Sequence, residues 1–151
     1  MKMRITLGGT AMVLALALAG CDEKLSDVTG PTPNLEPTFS SIQREIFQTT
    51  DASGRLACTN CHTTQGGRIP PVGMDLGSPT AYSQLVNVPA LNKPGAIRVI
   101  PGDPENSYLI HKLDGRPTIV GVRMPRGNGP FLTDGQMLVI KRWISNGAPN
   151  N

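Results

Sequence analysis

Glycine and proline interrupt this chain so often that its helices must be short and its own side chains can fill only a small core. The 151 residues include 17 Gly and 14 Pro, against three Phe, two Tyr and one Trp. Gly- and Pro-rich stretches cover most of residues 63–101 and 115–130, and such residues mark turns and end helices. A domain of this size with so few large apolar residues needs a further apolar body at its centre, for example a large flat cofactor.

Four segments between these loops have the apolar spacing and the end signals of helices. Nothing in the chain suggests strands, so we predict an all-α fold. The predicted helices run from about Ser40 to Thr49, from Pro79 to Val86, from Pro104 to Leu113, and from a capping box at Thr133 to Asn146.

The ends of these helices follow from capping residues. Ser78 and Asp103 are predicted N-caps, because each precedes a proline that suits the first helical position. Thr133 and Gln136 have the spacing of a capping box, and Gly115 is predicted to end the third helix. We expect the first and last helices to pack together through apolar and aromatic side chains such as Phe39, Ile46, Ile140 and Trp143.

The residues Cys58-Thr59-Asn60-Cys61-His62 form the C-x-x-C-H motif that attaches a c-type haem. Two cysteines three positions apart on a tight turn can each bond a vinyl group of the haem, and the adjacent histidine can then point its imidazole at the iron. We therefore predict one covalently attached haem c, with Cys58 and Cys61 as the thioether residues and His62 as an iron ligand.

Two other chemistries use similar residues. A thioredoxin-like dithiol needs a strand-helix-strand context, and the surrounding sequence predicts helix and loop. A zinc site can be assembled on paper from Cys58, Cys61, His62 and His111, but the neighbours Cys61 and His62 would then chelate one ion at a strained angle.

The iron of a low-spin electron carrier takes a sixth ligand, which in cytochromes c is usually a methionine. Met137 falls on the apolar face of a predicted helix and is expected to pack in the core. Met74 follows His62 closely and is expected to lie under the haem. Met124 lies in the second long loop, where Pro125 keeps it out of helical conformation, and it is our predicted sixth ligand; a methionine that only fills the core is the alternative.

An axial histidine normally donates its other ring N–H to a carbonyl oxygen, which fixes the orientation of the ring. By position, the carbonyl of Pro70 or Pro71 is the predicted acceptor for His62. His111 is predicted to be a half-exposed residue on the third helix; the alternatives are that it replaces Met124 on the iron or acts as a catalytic base.

Several stretches of the chain together resemble bacterial monohaem cytochrome c domains of the planctomycete type. The similarity covers most of residues 39–148 and implies a cytochrome c-like fold of three to five short helices around a covalent haem, with His62 and Met124 as axial ligands. The stretches that carry it are Pro101-Gly102-Asp103-Pro104-Glu105-Asn106-Ser107-Tyr108-Leu109, Arg123-Met124-Pro125, Leu132-Thr133-Asp134-Gly135-Gln136 and Trp143-Ile144-Ser145-Asn146-Gly147-Ala148.

The start of the chain is typical of a secretory signal, since Lys2 and Arg4 precede an apolar run over residues 7–19. That run is short for a permanent transmembrane anchor, which is the alternative. Leu18-Ala19-Gly20-Cys21 resembles a bacterial lipobox, in which the cysteine is lipidated and becomes the new N-terminus. Asp22 directly after it favours retention at the inner membrane.

The chain is thus predicted to have three parts: a lipoprotein signal peptide over residues 1–20, a flexible linker over 21–38 and a cytochrome c domain over 39–148. The linker is rich in polar residues and proline. All three cysteines have a use, because Cys21 takes lipid and the two of the motif take haem, so no disulfide is expected. We expect an exported protein anchored by lipid on the periplasmic side of the membrane.

Charge excludes one class of partner. Removal of the leader leaves 12 basic residues against 11 acidic ones, and no basic cluster interleaved with aromatic residues is present, so no nucleic acid is expected. The predicted function is transfer of single electrons between a donor and an acceptor redox protein, without an enzymatic reaction. The alternatives are a peroxidase-like or gas-binding haem protein with an exchangeable sixth ligand, and a fixed subunit of a larger oxidoreductase.

The anchoring prediction rests on one side chain. We expect the Cys21→Ser substitution to move the protein from the membrane pellet into the soluble periplasmic fraction with an unchanged absorption spectrum, because only the lipid is lost. Fractionation of cells followed by haem staining measures this. A substituted protein that still pellets would identify residues 7–19 as a retained anchor.

Overall fold

A computed structural model of the protein describes residues 30–127 and 129–151. The predicted signal peptide, Cys21 and the first part of the predicted linker lie outside the described residues. Helix α1 runs over Phe39–Ile42 and continues into a π-helical segment, Gln43–Phe47. The other helices are α2 (Ala81–Leu85), α3 (Tyr108–Asp114) and α4 (Asp134–Ser145), and single 3-10 turns lie at Cys58–Asn60, Gln65–Gly67 and Pro71–Gly73.

Helices and loops make up the described part of the chain, which contains no strand. Its extended backbone pairs only through isolated bridges, such as Val86 with Val99 and Pro89 with Ile97. The prediction of an all-α chain is confirmed at this level. No helix within residues 30–127 and 129–151 is both long and apolar enough to cross a bilayer.

Helices α1 and α4 form the centre of the core, as the sequence predicted. The rings of Phe39 and Trp143 lie 5.5 Å apart between centroids, and Ile42, Ile140 and Trp143 are fully buried. Helix α1 starts where the side chain of its N-cap, Thr38, accepts a hydrogen bond from the backbone N–H of Ser41.

The predicted ends of α4 are confirmed. Thr133 and Gln136 exchange both bonds of a capping box, so two of the otherwise unpaired N–H groups at this helix end are satisfied. The helix ends at Asn146, and Gly147 follows with a φ of +92°, a conformation that glycine adopts without strain.

The predicted starts of α2 and α3 are wrong. Ser78 does not cap α2, whose N-cap is Thr80. Asp103 does not cap α3 either, because its carboxylate accepts hydrogen bonds from the backbone N–H and the side chain of Asn106 and so closes a local turn. The helix begins only after Ser107. Gly115 does end α3, with a φ of +74°.

The last residues of the predicted linker pack against the helices. Leu35 is 2 % exposed and belongs to the apolar core, and Thr32 is 3 % exposed. The side chain of Gln136 on α4 donates to the hydroxyl of Thr32 at 3.1 Å. The packed region therefore begins about seven residues before the helical pattern.

A buried ion pair joins α1 to the turn that carries the two cysteines. Arg55 Nε lies 3.0 Å from Asp51 Oδ2, and both side chains are almost fully buried. The guanidinium also donates to the backbone carbonyls of Glu45, Ile46, Thr49 and Leu56. Two of these carbonyls lie in the last helical turn, where no backbone partner remains. Gln136 reaches the same carboxylate at 3.1 Å, so α4 joins the network.

This network predicts that Asp51 is a major source of stability. The Asp51→Asn substitution leaves the buried charge of Arg55 without its anion, and we expect the free energy of unfolding to fall by about 3–5 kcal/mol. Urea denaturation of the purified protein measures this loss. As a control, Glu105→Gln removes the exposed partner of Arg116 and should cost less than about 1 kcal/mol. Equal losses in the two variants would contradict the assignment.

The same carboxylate predicts how stability depends on pH. Burial raises the pKa of Asp51, but hydrogen bonds from Ser53 and Gln136 and the charge of Arg55 outweigh it and hold the pKa below its ordinary value. The stabilisation is therefore complete above pH of about 4 and is lost as the pH falls through the lowered pKa.

Candidate cofactor cleft

A deep cleft opens between α3, the 3-10 turns and the loop over residues 115–127, with about 1430 Å³ of empty space, its open mouth included. Most of its walls are apolar, with Leu85, Leu109 and Leu113 among them. Four residues that the sequence assigned to cofactor binding all line this one cleft: Cys58, Cys61, His62 and Met124.

The motif forms a tight turn at one wall of the cleft. The backbone N–H groups of Cys61 and His62 both donate to the carbonyl of Cys58, at 3.2 and 2.8 Å. Cys58 and Cys61 form no disulfide; Cys58 is partly buried and Cys61 is exposed. The thiol of Cys58 lies 3.7 Å from the carbonyl of Ile46, and burial raises its pKa to about 11. The turn thus brings two cysteines and one histidine to the same cleft.

His62 is fixed in place by two hydrogen bonds to the segment that follows it. Its ring Nδ1 donates to the carbonyl of Met74 at 3.3 Å, and its own carbonyl accepts from the N–H of Leu76 at 2.9 Å. Because Nδ1 carries the proton, Nε2 keeps its lone pair, and among the described residues Nε2 has no hydrogen-bond partner. This arrangement is the one that a metal-ligating histidine requires.

The predicted acceptor for this ring N–H was wrong. The carbonyls of Pro70 and Pro71 accept instead from the backbone N–H groups of Gly73 and Met74, at 3.1 and 3.2 Å. These bonds close the 3-10 turn at Pro71–Gly73, and the carbonyl that faces His62 is that of Met74, directly after the turn. The type of partner was predicted correctly, but the turn displaces it by three or four residues.

The surroundings of His62 favour its neutral form. Burial is the main cause that lowers its pKa, and the nearby charges of Arg98 and Lys112 lower it further, while the bond to the Met74 carbonyl acts in the opposite direction. A neutral imidazole is the form that binds a metal.

Met124 reaches the cleft because its loop is bonded to α3. The backbone N–H of Met124 donates to the carbonyl of Lys112 at 2.8 Å, and Arg123 Nε donates to the carbonyl of Leu113 at 2.7 Å. Both acceptors lie near the C-terminal end of α3, where carbonyls lack helical partners. The half-buried Met124 side chain therefore contributes a thioether sulfur to the cleft.

The other candidate ligands divide between the cleft and its surroundings. Met74 lines the cleft, in keeping with its predicted place, whereas Met137 is 6 % exposed in the apolar core. His111 does not line the cleft: its Nε2 lies 2.6 Å from the carbonyl of Glu105 and its ring packs against Tyr108. No group of three His, Cys, Asp or Glu side chains able to hold a metal ion occurs within residues 30–127 and 129–151.

Sequence reasoning missed two buried arginines. Arg55 fixes the turn before Cys58, and Arg98 contributes a cation to the cleft wall. The one local signal for Arg98 is its position between two apolar residues, Ile97 and Val99, which places a charged side chain in a segment that is otherwise suited to burial.

The cleft gives a direct test of covalent attachment. We expect the Cys58→Ser, Cys61→Ser double variant to carry no covalently bound haem and to fold poorly, because both sulfurs that reach the cleft are gone. Haem staining of denaturing gels measures this. The matched control is Asn60→Ala, which changes an exposed residue of the same turn and should leave full staining. Normal staining of the double variant would rule out this use of the motif.

Comparisons of the chain with models of protein families, with curated proteins and with solved structures gave no match. The resemblance to planctomycete-type cytochrome c domains therefore stays a prediction, and the case for a function depends on the geometry of the cleft.

Proposed function

We propose that this protein is an exported monohaem c-type cytochrome that transfers single electrons between redox proteins. One observation carries the proposal: two cysteine thiols, a neutral imidazole and a methionine thioether, which lie up to 66 positions apart in the chain, line one apolar cleft. Each of the four has a separate role in holding a c-type haem.

The residues of the cleft fit the group. Cys58 and Cys61 would hold the macrocycle by thioether bonds, and His62 Nε2 and the sulfur of Met124 would bind the iron. The bond from His62 Nδ1 to the Met74 carbonyl orients the imidazole. When bound, the haem supplies a one-electron redox centre. We include in this proposal that the chain has a cytochrome c-like fold.

The apolar walls support a carrier function. Side chains such as Leu76, Leu85 and Leu113 are almost fully buried beside the cleft. They exclude water, so few solvent molecules would need to reorient when the haem gains or loses an electron. At the rim, Leu56 and Leu91 are 54 % and 72 % exposed. These side chains offer an apolar surface on which a partner redox protein can approach.

The place of action follows from the start of the chain. A lipid on Cys21 would hold the domain on the periplasmic side of a membrane, and Asp22 favours the inner membrane. Donor and acceptor are then redox proteins of the same compartment.

Met124 decides between a carrier and a haem enzyme or sensor. A thioether on the iron leaves no site for peroxide, oxygen or carbon monoxide, so the ferric protein should show the weak far-red band of sulfur-to-iron charge transfer. We expect Met124→Ala to erase this band, to lower the reduction potential and to let the ferrous protein bind carbon monoxide. Absorption spectra and a potentiometric titration measure these changes.

Two variants serve as controls. Met74→Leu removes the other thioether of the cleft but keeps the carbonyl that His62 uses, and His111→Ala removes the remaining histidine outside the motif. Both should keep the band. An unchanged spectrum for Met124→Ala would move the sixth ligand elsewhere and would favour the enzyme or sensor function.

A further inference from the structure

Arg98 is a buried cation inside a cleft whose walls are mostly apolar. The residue is 7 % exposed and lines the same cleft as His62. Its backbone is fixed on both sides, because its N–H donates to the carbonyl of Val88 at 2.8 Å and its carbonyl accepts from the N–H of Leu109 at 2.9 Å. The arginine therefore cannot leave the cleft by a local shift of the loop.

Only neutral groups hold its guanidinium. Nη1 donates to the carbonyl of Gln84 at 2.7 Å and contacts its side-chain oxygen at 3.4 Å, and Nη2 donates to the carbonyl of Val72 at 3.0 Å. No carboxylate of the described residues lies within ion-pair distance of Arg98. Burial lowers the pKa of Arg98, a sign that its charge has lost water without gaining an anion.

The composition of the cleft strengthens the contrast. Lys112 and Arg126 also line it, whereas no Asp or Glu of the described residues does. Arg55, the other buried arginine, is compensated by Asp51. Because a buried charge is costly unless it is paired, the cleft is built for an occupant that brings both an apolar body and an anionic edge.

We propose that Arg98 binds a carboxylate of the haem and fixes the haem's position in the cleft. This inference rests on the proposed function, since a haem has a flat apolar body and two carboxylates on one edge. A guanidinium presents several N–H donors in a planar fork that matches a carboxylate. Two of these nitrogens are positioned by the backbone of Val72 and Gln84, so the group is oriented before the haem arrives.

The pairing has a consequence for the redox centre. A carboxylate beside Arg98 stays ionised through the neutral pH range in both oxidation states, so the reduction potential should not depend on pH there. Without the cation, the carboxylate gains a proton more easily, and more so in the ferrous state, which carries less positive charge. The potential should then fall as the pH rises through that titration.

The experiment is a potentiometric titration of the holoprotein between pH 5 and pH 8. Arg98→Gln keeps a donor for a backbone carbonyl but removes the charge; we expect a lower potential at pH 7 and a new decrease of potential with pH. Arg98→Lys keeps the charge and should show little dependence on pH. Arg68→Gln removes an exposed cation that does not line the cleft and should behave as the wild type does.

Each further outcome has one meaning. A pH-independent potential in Arg98→Gln, with normal haem content, overturns the pairing but leaves the proposed function intact. If Arg98→Gln does not fold, a pH-dependent potential in the wild type overturns the pairing, and a pH-independent one that is also unaffected by added phosphate supports it. A potential that changes with phosphate means that Arg98 binds a free anion. Wild-type protein without covalent haem overturns both proposals.

Discussion

The buried pair of Asp51 and Arg55 is the contact on which the described structure depends. Through it, the end of the first helix, the turn before Cys58 and the last helix share one set of hydrogen bonds. A chain with so few large apolar residues cannot fix a turn by packing alone, and here a desolvated charge with five acceptors does so. The position of the motif relative to the core follows from this one guanidinium.

The two buried arginines have opposite relations to their surroundings. Arg55 is satisfied within the chain, so the turn that it holds needs no charge from an occupant of the cleft. Arg98 is held by neutral oxygens alone, and we propose that the haem supplies its anion. The first arrangement stabilises the fold, whereas the second sacrifices some stability to prepare a site. One arginine, Arg55, thus stabilises the fold, and we propose that the other, Arg98, binds the cofactor.

The sequence predicted those features whose cause is local. The capping box of Thr133 and Gln136 requires residues three positions apart, and it occurs as predicted. The residues Cys58, Cys61 and His62 of the motif line one cleft, and their use in haem attachment stays a prediction. The start of the third helix was misplaced because Asp103 closes a turn with Asn106 instead of a helix. The predicted carbonyl partner of His62 was wrong because the carbonyls of Pro70 and Pro71 accept hydrogen bonds within a tight turn. The role of Arg98 had only one weak local signal, the apolar residues on either side of it, since its burial depends on segments distant in the chain.

The packing of Thr32 against the last helix limits how far the domain can move from a membrane to which Cys21 is anchored. If Cys21 carries the proposed lipid, eleven steps of the chain join it to Thr32, the first buried side chain of the described residues, a span of at most about 40 Å. That length is close to the diameter of a domain of this size, about 35 Å by the scaling of compact chains. The domain, and the cleft with it, would then stay close to the bilayer surface. A partner held in the same membrane would be present there at a high effective concentration. The length of the segment between Cys21 and Thr32 would then be enough to restrict the proposed electron transfer to partners close to the membrane.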